Sequence, residues 1–196
     1  MVNKLPDIYE CPVDVWLLRF IDTHLAWYYH EGFTPNTVTT VSILVGMLSA
    51  FVIYHQQFAL GAVLFILAYY LDCVDGKLAR KYNMVTAFGD FYDHFGDVLK
   101  FILVSYALYH NNNKKMSPSQ HTFKTIIIGL TCFLFLQIGY QETLYAAGDS
   151  STLCMFKTLV SVDSRPERSI QLTKYLGQGT FVVLFSAIIF LWDKYK

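Results

Sequence analysis

This chain is short of charge. Of its 196 residues 15% are Asp, Glu, Lys or Arg, against roughly 25% in an average soluble domain. Neither sign is in excess, with Lys+Arg 15 and Asp+Glu 15. The broad basic field that attracts nucleic acid is therefore excluded. Cysteine is also scarce. Cys11, Cys73, Cys132 and Cys154 are widely scattered, with no C-x-x-C pair. This spacing argues against a zinc ribbon or a disulfide framework and for buried free thiols. A continuous apolar leader is lacking in "MVNKLPDIYECPVDV", so the first spans are expected to act as the insertion signal. What the chain has instead is apolar surface, 54% of its residues. The expectation is one integral membrane domain over 1–196.

Residues 13–30, "VDVWLLRFIDTHLAWYYH", place Val13, Leu17, Phe20, Ile21, Leu25 and Tyr28 at helical spacing, interrupted by Asp14, Arg19, Asp22 and His24. The segment is too polar to span and too amphipathic for a loop. It reads as a helix in the membrane interface, with Trp16, Trp27, Tyr28 and Tyr29 at headgroup level. Pro35 keeps Thr34 out of the helical region, so the chain turns there. Apolar segments follow at about 37–55, 57–74, 92–110, 122–142 and 175–193, each near the roughly 20 residues a bilayer span requires. The fold class expected is an all-α bundle of five or six transmembrane helices. The short "YHQQ" at 54–57 makes the first two a tight antiparallel pair. Ser164-x-x-Glu167 with Pro166 resembles a helix start, and "TLCMFKTLVSV" at 152–162 is a further element too short to span.

Orientation follows from Lys and Arg. The N-terminus, the 75–86 turn and the 144–174 connection carry nine, and the opposite side five. The positive-inside rule makes the first side cytoplasmic.

Five aspartates crowd that side: Asp72, Asp75, Asp90, Asp93 and Asp97. Asp72 and Asp75 are spaced i, i+3, and Gly89, Asp93 and Asp97 are spaced i, i+4, i+8, so each set lies on one helix face. Two such faces converge several carboxylates on one point. An ionised carboxylate near the bilayer centre costs roughly 2.5–3.5 kcal/mol, and neighbours repel. The group must take up protons or bind cations. Oxygen ligands suit Mg²⁺, Mn²⁺ or Ca²⁺. Gly76 and Gly89 each weaken a helix by roughly 1 kcal/mol relative to alanine, a cost that close approach of a ligand or a backbone justifies. Arg80 and Lys81 supply cations beside the acids, as a phosphate site requires.

Asp72-x-x-Asp75-Gly76-x-x-Ala79-Arg80, eight residues, then Gly89-x-x-x-Asp93-x-x-x-Asp97 resembles the signature of the CDP-alcohol phosphotransferase family. The resemblance implies an enzyme of the lipid bilayer that moves a substituted phosphate from a CDP-linked donor to an alcohol acceptor, releasing CMP. It implies Mg²⁺ or Mn²⁺, two ions, held by Asp72, Asp75 and Asp93 with Asp97. Asp97 is also the candidate general base, with His94 beside it as the second candidate. Asp72, Gly76, Ala79, Arg80 and Asn36 are implied to bind the donor, Gly76 and Ala79 leaving room for cytidine. A homodimer is among the arrangements left open. The membrane implied is the endoplasmic reticulum in a eukaryote and the inner membrane in a bacterium. Family members usually have six spans or more, whereas five are legible here.

The substrate pair stays open between CDP-choline or CDP-ethanolamine with diacylglycerol and CDP-diacylglycerol with inositol, serine or glycerol phosphate. Asp93-His94 leans to the first, although Phe95-Gly96-Asp97 matches it only in part; the short chain leans to the second. Glu142 at the end of the fourth span is a candidate for a cationic headgroup or a solvated helix end. Arg165 and Arg168 are candidates for a substrate phosphate or simple topology determinants. Asp90 is placed beside His94 with no catalytic role. A divalent-cation transporter and an inactive scaffold are the alternatives outside the family.

Overall fold

The structure, a computed structural model, describes residues 6–110, 117–145, 153–161, 163–192 and 194. Among these residues the regular elements are all helical. In chain order they are α1 (Pro12–Asp22), α2 (Leu25–His30), α3 (Pro35–Tyr54), α4 (Phe58–Lys81), α5 (Ala87–His110), α6 (Pro118–Tyr145), α7 (Pro166–Thr173) and α8 (Gln178–Leu191). A short 3-10 helix, Cys154–Val160, lies between α6 and α7.

The segment expected to lie in the interface is two helices, broken at Thr23 and His24. Trp16, Phe20, Trp27 and Tyr29 are exposed, and Leu18, Ile21 and Leu25 are buried. Two expectations are corrected here. Phe20 faces outward, and Asp14, read as an interruption of the apolar stripe, is buried. Its Oδ1 accepts from Tyr69 and its Oδ2 from the Gly179 N–H at 3.2 Å, tying α1 to α4 and α8. A second tie is Lys77, 1% exposed, whose Nζ donates to Leu18 O at 2.6 Å and to Asp22 Oδ2.

Helix α3 starts at Pro35 because Thr34 and Thr37 cap each other reciprocally. It ends at Tyr54, and Gln56, with φ 63, turns the chain directly into α4. Small residues bring these two helices close. Ser49 Oγ donates to Gly61 O at 2.7 Å and Ser42 Oγ to Ala68 O at 2.8 Å, and a Cβ on Gly61 would run into Ile53. Membrane helices use such contacts because lipid offers no hydrophobic force between apolar faces. On the other side of α3, Gly96 of α5 receives Ile43, whose Cγ1 stands 2.7 Å from a Cβ position there. Phe65, Phe181, Phe185 and Ile189 join α4 and α8 in the main core; Ile21, Leu25, Val38, Val74 and Leu78 form a second cluster under α1 and α2.

The polarity runs inside out. Leu44, Leu48, Phe51, Val63, Ile66, Phe95, Val98 and Ile102 are exposed, while Asp72, Asp75, Lys77 and Lys100 are buried. This is a membrane protein, with lipid as the solvent of its outer face. Four stretches are long and apolar enough to cross a membrane: Pro35–Tyr54, Phe58–Lys81, Pro118–Leu144 and Pro166–Leu191. The expected span at 92–110 exists as part of α5, but Asp93, Asp97 and Lys100 leave it outside that set by composition. Helix α4 carries the aspartates as continuous helix to Lys81, beyond the expected end at 74. Within the segment expected at 152–162, Cys154–Val160 forms the 3-10 helix seated on Gly139 of α6, with Phe156 O 2.7 Å from a Cβ position there. Helix α7 begins at Pro166 without the expected capping box. Its N-cap is Arg165, and Asp163 takes the capping role, accepting from Arg165 N at 2.8 Å and Ser169 Oγ at 2.5 Å. These bonds hold the Asp163 carboxyl below its usual range, the serine bond first. The free cysteines are also unlike one another: Cys11 is buried, Cys73 partly so, and Cys132 is exposed, not buried as expected. The Cys154 side chain and the polar loop at 111–116 lie outside the described residues.

Candidate active site

Helices α4 and α5 present their acidic faces to each other beside the start of α3. Asp72 and Asp75 sit one turn apart on α4, 8% and 2% exposed. One oxygen from each, with one from Asp93 on α5, lies within 4.8 Å of the other two. Asp75 Oδ2 and Asp93 Oδ1 are buried with no hydrogen-bond partner. Buried carboxylate oxygens without donors are costly, and three facing one point repel. A divalent cation resolves both costs, and an all-oxygen set fits Mg²⁺ or Mn²⁺. The residues present in this group therefore fit one divalent ion of the kind the resemblance implies.

Asp97 is one turn further along α5 and lies outside that three-carboxylate group. It is half-buried; Lys100 Nζ is 3.0 Å from its Oδ1, and Gln178 Nε2 of α8 is 3.4 Å from its Oδ2. Lys100 also reaches Asp72 Oδ1 at 2.7 Å and Ser42 Oγ at 3.0 Å. Its stem passes Gly46 of α3, where Lys100 Cγ stands 2.5 Å from a Cβ position. Lys100 is 5% exposed.

The remaining predicted residues fall around this centre. Arg80 folds back over Gly76, and its buried Nε has no partner. Ala79 is partly exposed on the same turn. Asn36, in the first turn of α3, sets its Oδ1 3.2 Å from a Cβ position on Gly89, so it borders the N-terminal end of α5. His94 Nδ1 is 2.6 Å from Asp90 O and 3.5 Å from Asp90 Oδ1, which ties that ring nitrogen to its own helix. Glu142 is buried, 1% exposed, so it does not end a solvated helix. It lies on α6, the helix packed against the 3-10 helix and α7. Gln178, Ser42 and Gly46 escaped sequence reasoning, being ordinary residues in apolar helices. Lys100 was legible as a partner of the acids, i+3 from Asp97 on an otherwise apolar stretch, and it pairs with Asp97 and Asp72.

Residues 33–193 match the CDP-alcohol phosphatidyltransferase family. The chain belongs to this family. A CDP-diacylglycerol–glycerol-3-phosphate 3-phosphatidyltransferase of Rickettsia typhi is 39% identical over 87 residues, 43% of this chain and 49% of that protein. A CDP-diacylglycerol–serine O-phosphatidyltransferase of Helicobacter pylori is 37% identical over 67 residues, 34% of this chain and 28% of that protein. Cholinephosphotransferase 1 of Danio rerio is 26% identical over 112 residues, 50% of this chain and 27% of that protein. The chain spans about half or less of the length of each of these relatives. No solved structure matches it.

Proposed function

We propose that this member of the CDP-alcohol phosphatidyltransferase family transfers a substituted phosphate from a CDP-linked donor to an alcohol, releasing CMP, in phospholipid synthesis. The observation that carries the reading is the convergence of Asp72, Asp75 and Asp93 within 4.8 Å, with buried oxygens left unpartnered. Asp72, Asp75 and Asp93 would hold Mg²⁺ or Mn²⁺. Bound there, the ion supplies charge neutralisation for the diphosphate and for the departing CMP oxygen.

The chain's own residues do the rest. Arg80, with a buried unpartnered N–H, binds a donor phosphate oxygen. Asn36 and Gly89 border the space beside the acids, where the donor enters. Asp97, outside the three-carboxylate group, takes the proton of the acceptor hydroxyl. The acceptor oxygen bonds to the phosphorus carrying the substituent. The bond from that phosphorus to the bridging oxygen breaks, and its electron pair leaves on CMP. His94, anchored through Nδ1, is the second candidate for the base.

The same reading puts the site at the cytoplasmic face. Lys174 donates to Ile8 O at 2.8 Å, Lys77 binds Asp22, and Gln178 meets Asp97, so the N-terminal helices, the aspartates and the start of the last span share one end. The positive-inside count on the sequence makes that end cytoplasmic.

The test is CMP release by the purified chain in mixed micelles with Mg²⁺ or Mn²⁺. One arm offers CDP-diacylglycerol with glycerol phosphate, serine or inositol, and the other CDP-choline or CDP-ethanolamine with diacylglycerol. Release in one arm identifies the donor class. No acceptor-dependent release in either arm refutes the proposal.

A further inference from the structure

The four signature aspartates are not equivalent in this fold. Asp72, Asp75 and Asp93 form one group with oxygens to spare. Asp72 and Asp97 are already bridged, by Lys100 Nζ at 2.7 and 3.0 Å. An ammonium has three protons to donate. Here three oxygens accept them, the third being Ser42 Oγ at 3.0 Å. The stem is threaded across α3 at Gly46, and the residue is 5% exposed. Lys100 is thus a built part of the site, with no solvent to retreat to.

We infer that the Lys100 ammonium takes the place of a second metal ion between Asp72 and Asp97, so that the chain binds one divalent cation where the family resemblance implies two. The inference rests on the phosphotransferase reading for its first ion. The contacts divide the acids accordingly. Lys100 supplies the positive charge between Asp72 and Asp97, and the group of Asp72, Asp75 and Asp93 is left for a single divalent ion. A second ion at Asp97 would have to expel a buried ammonium from three acceptors and leave it unpaired, which a low-dielectric interior penalises heavily. Lys100 therefore acts as a positioning residue: it holds Asp72 toward the metal and Asp97 toward the acceptor.

The test is the stoichiometry of Mn²⁺ alone on the full chain purified in detergent, followed by the electron paramagnetic resonance signal of free Mn²⁺. Wild type is expected to saturate at about one ion per chain, and Asp75→Asn to lose it. Lys100→Met leaves Asp72 and Asp97 without their cation and is expected to saturate at about two. Saturation at two in wild type overturns the inference and leaves the phosphotransferase reading standing. A folded Lys100→Met that still binds one also overturns it. One ion in wild type with no CMP release in either donor arm sinks the transferase reading but not the cation arrangement. No saturable Mn²⁺ sinks both. Should Lys100→Met fail to fold, the wild-type count decides alone.

Discussion

Arg80 lies back over Gly76 on the same helix, both terminal guanidinium nitrogens standing 3.3 Å from where a Cβ on Gly76 would be. The glycine's missing side chain is thus the resting place of the cation proposed to bind the donor phosphate. Gly76→Leu should keep the helix, which gains up to about 1 kcal/mol of propensity, but push Arg80 aside. We expect cytidine-nucleotide affinity to fall about tenfold or more, matching Arg80→Ala, since a charge-assisted hydrogen bond contributes about 1.5–3 kcal/mol. Titration calorimetry on the detergent-purified variants checks this. Wild-type affinity in Gly76→Leu would remove Arg80 from the nucleotide site.

Metal dependence follows from the unpartnered oxygens of Asp75 and Asp93. EDTA should abolish CMP release, and Mg²⁺ or Mn²⁺ should restore it. Asp75→Asn and Asp93→Asn should need far more metal for half-maximal rate. Full activity in chelator would dismiss the metal site.

Asp97 stands apart from the three-carboxylate group, paired with Lys100 and near Gln178. Asp97→Asn should leave donor binding within a few-fold and cut turnover by about 10²–10⁴, the usual contribution of a general base. If turnover survives in Asp97→Asn and falls in His94→Gln, the base is His94.

Asp14 provides a pH test outside the spans. Burial pushes its carboxyl above the usual range, although Tyr69 and the Gly179 N–H bind it. A raised folded-state pKa means stability that is present at low pH and lost as pH rises through that value. Wild type should therefore gain thermal stability relative to Asp14→Asn as pH is lowered from 8. Wild type gaining stability relative to Asp14→Asn as pH rises would contradict the assignment.

Gly61 sits where α3 and α4 touch, against Ile53 and bonded through its carbonyl to Ser49. Gly61→Val should destabilise the bundle by about 1–3 kcal/mol, the range for overpacking. The thermal midpoint in detergent measures it; an unchanged midpoint would mean the helix pair can spread.

Several features of the site were legible before any fold was known. The i, i+3 and i, i+4 spacings placed Asp72 with Asp75 and Asp93 with Asp97 on single helix faces, because helical periodicity is local. Pro35 after Thr34 marked the start of α3 for the same reason. Asp14 shows the limit. Its polarity broke an amphipathic pattern, and only the arrival of Tyr69 and Gly179 from distant helices made it a buried tie.

The sequence by itself determined that this is a helical membrane protein with a ring of carboxylates at one end of its spans. Composition and spacing suffice for that, since each depends on neighbours in the chain. The tertiary structure decided how the carboxylates are shared. Asp72 faces both the three-carboxylate group and Lys100, while Asp97 is held by Lys100 and Gln178. Those assignments depend on how far α3, α4, α5 and α8 approach and rotate. For α3, α4 and α5 that approach is set by contacts at Gly46, Gly61 and Gly96 with side chains of other helices. A single sequence displays each glycine, but not the residue that fills the space it leaves.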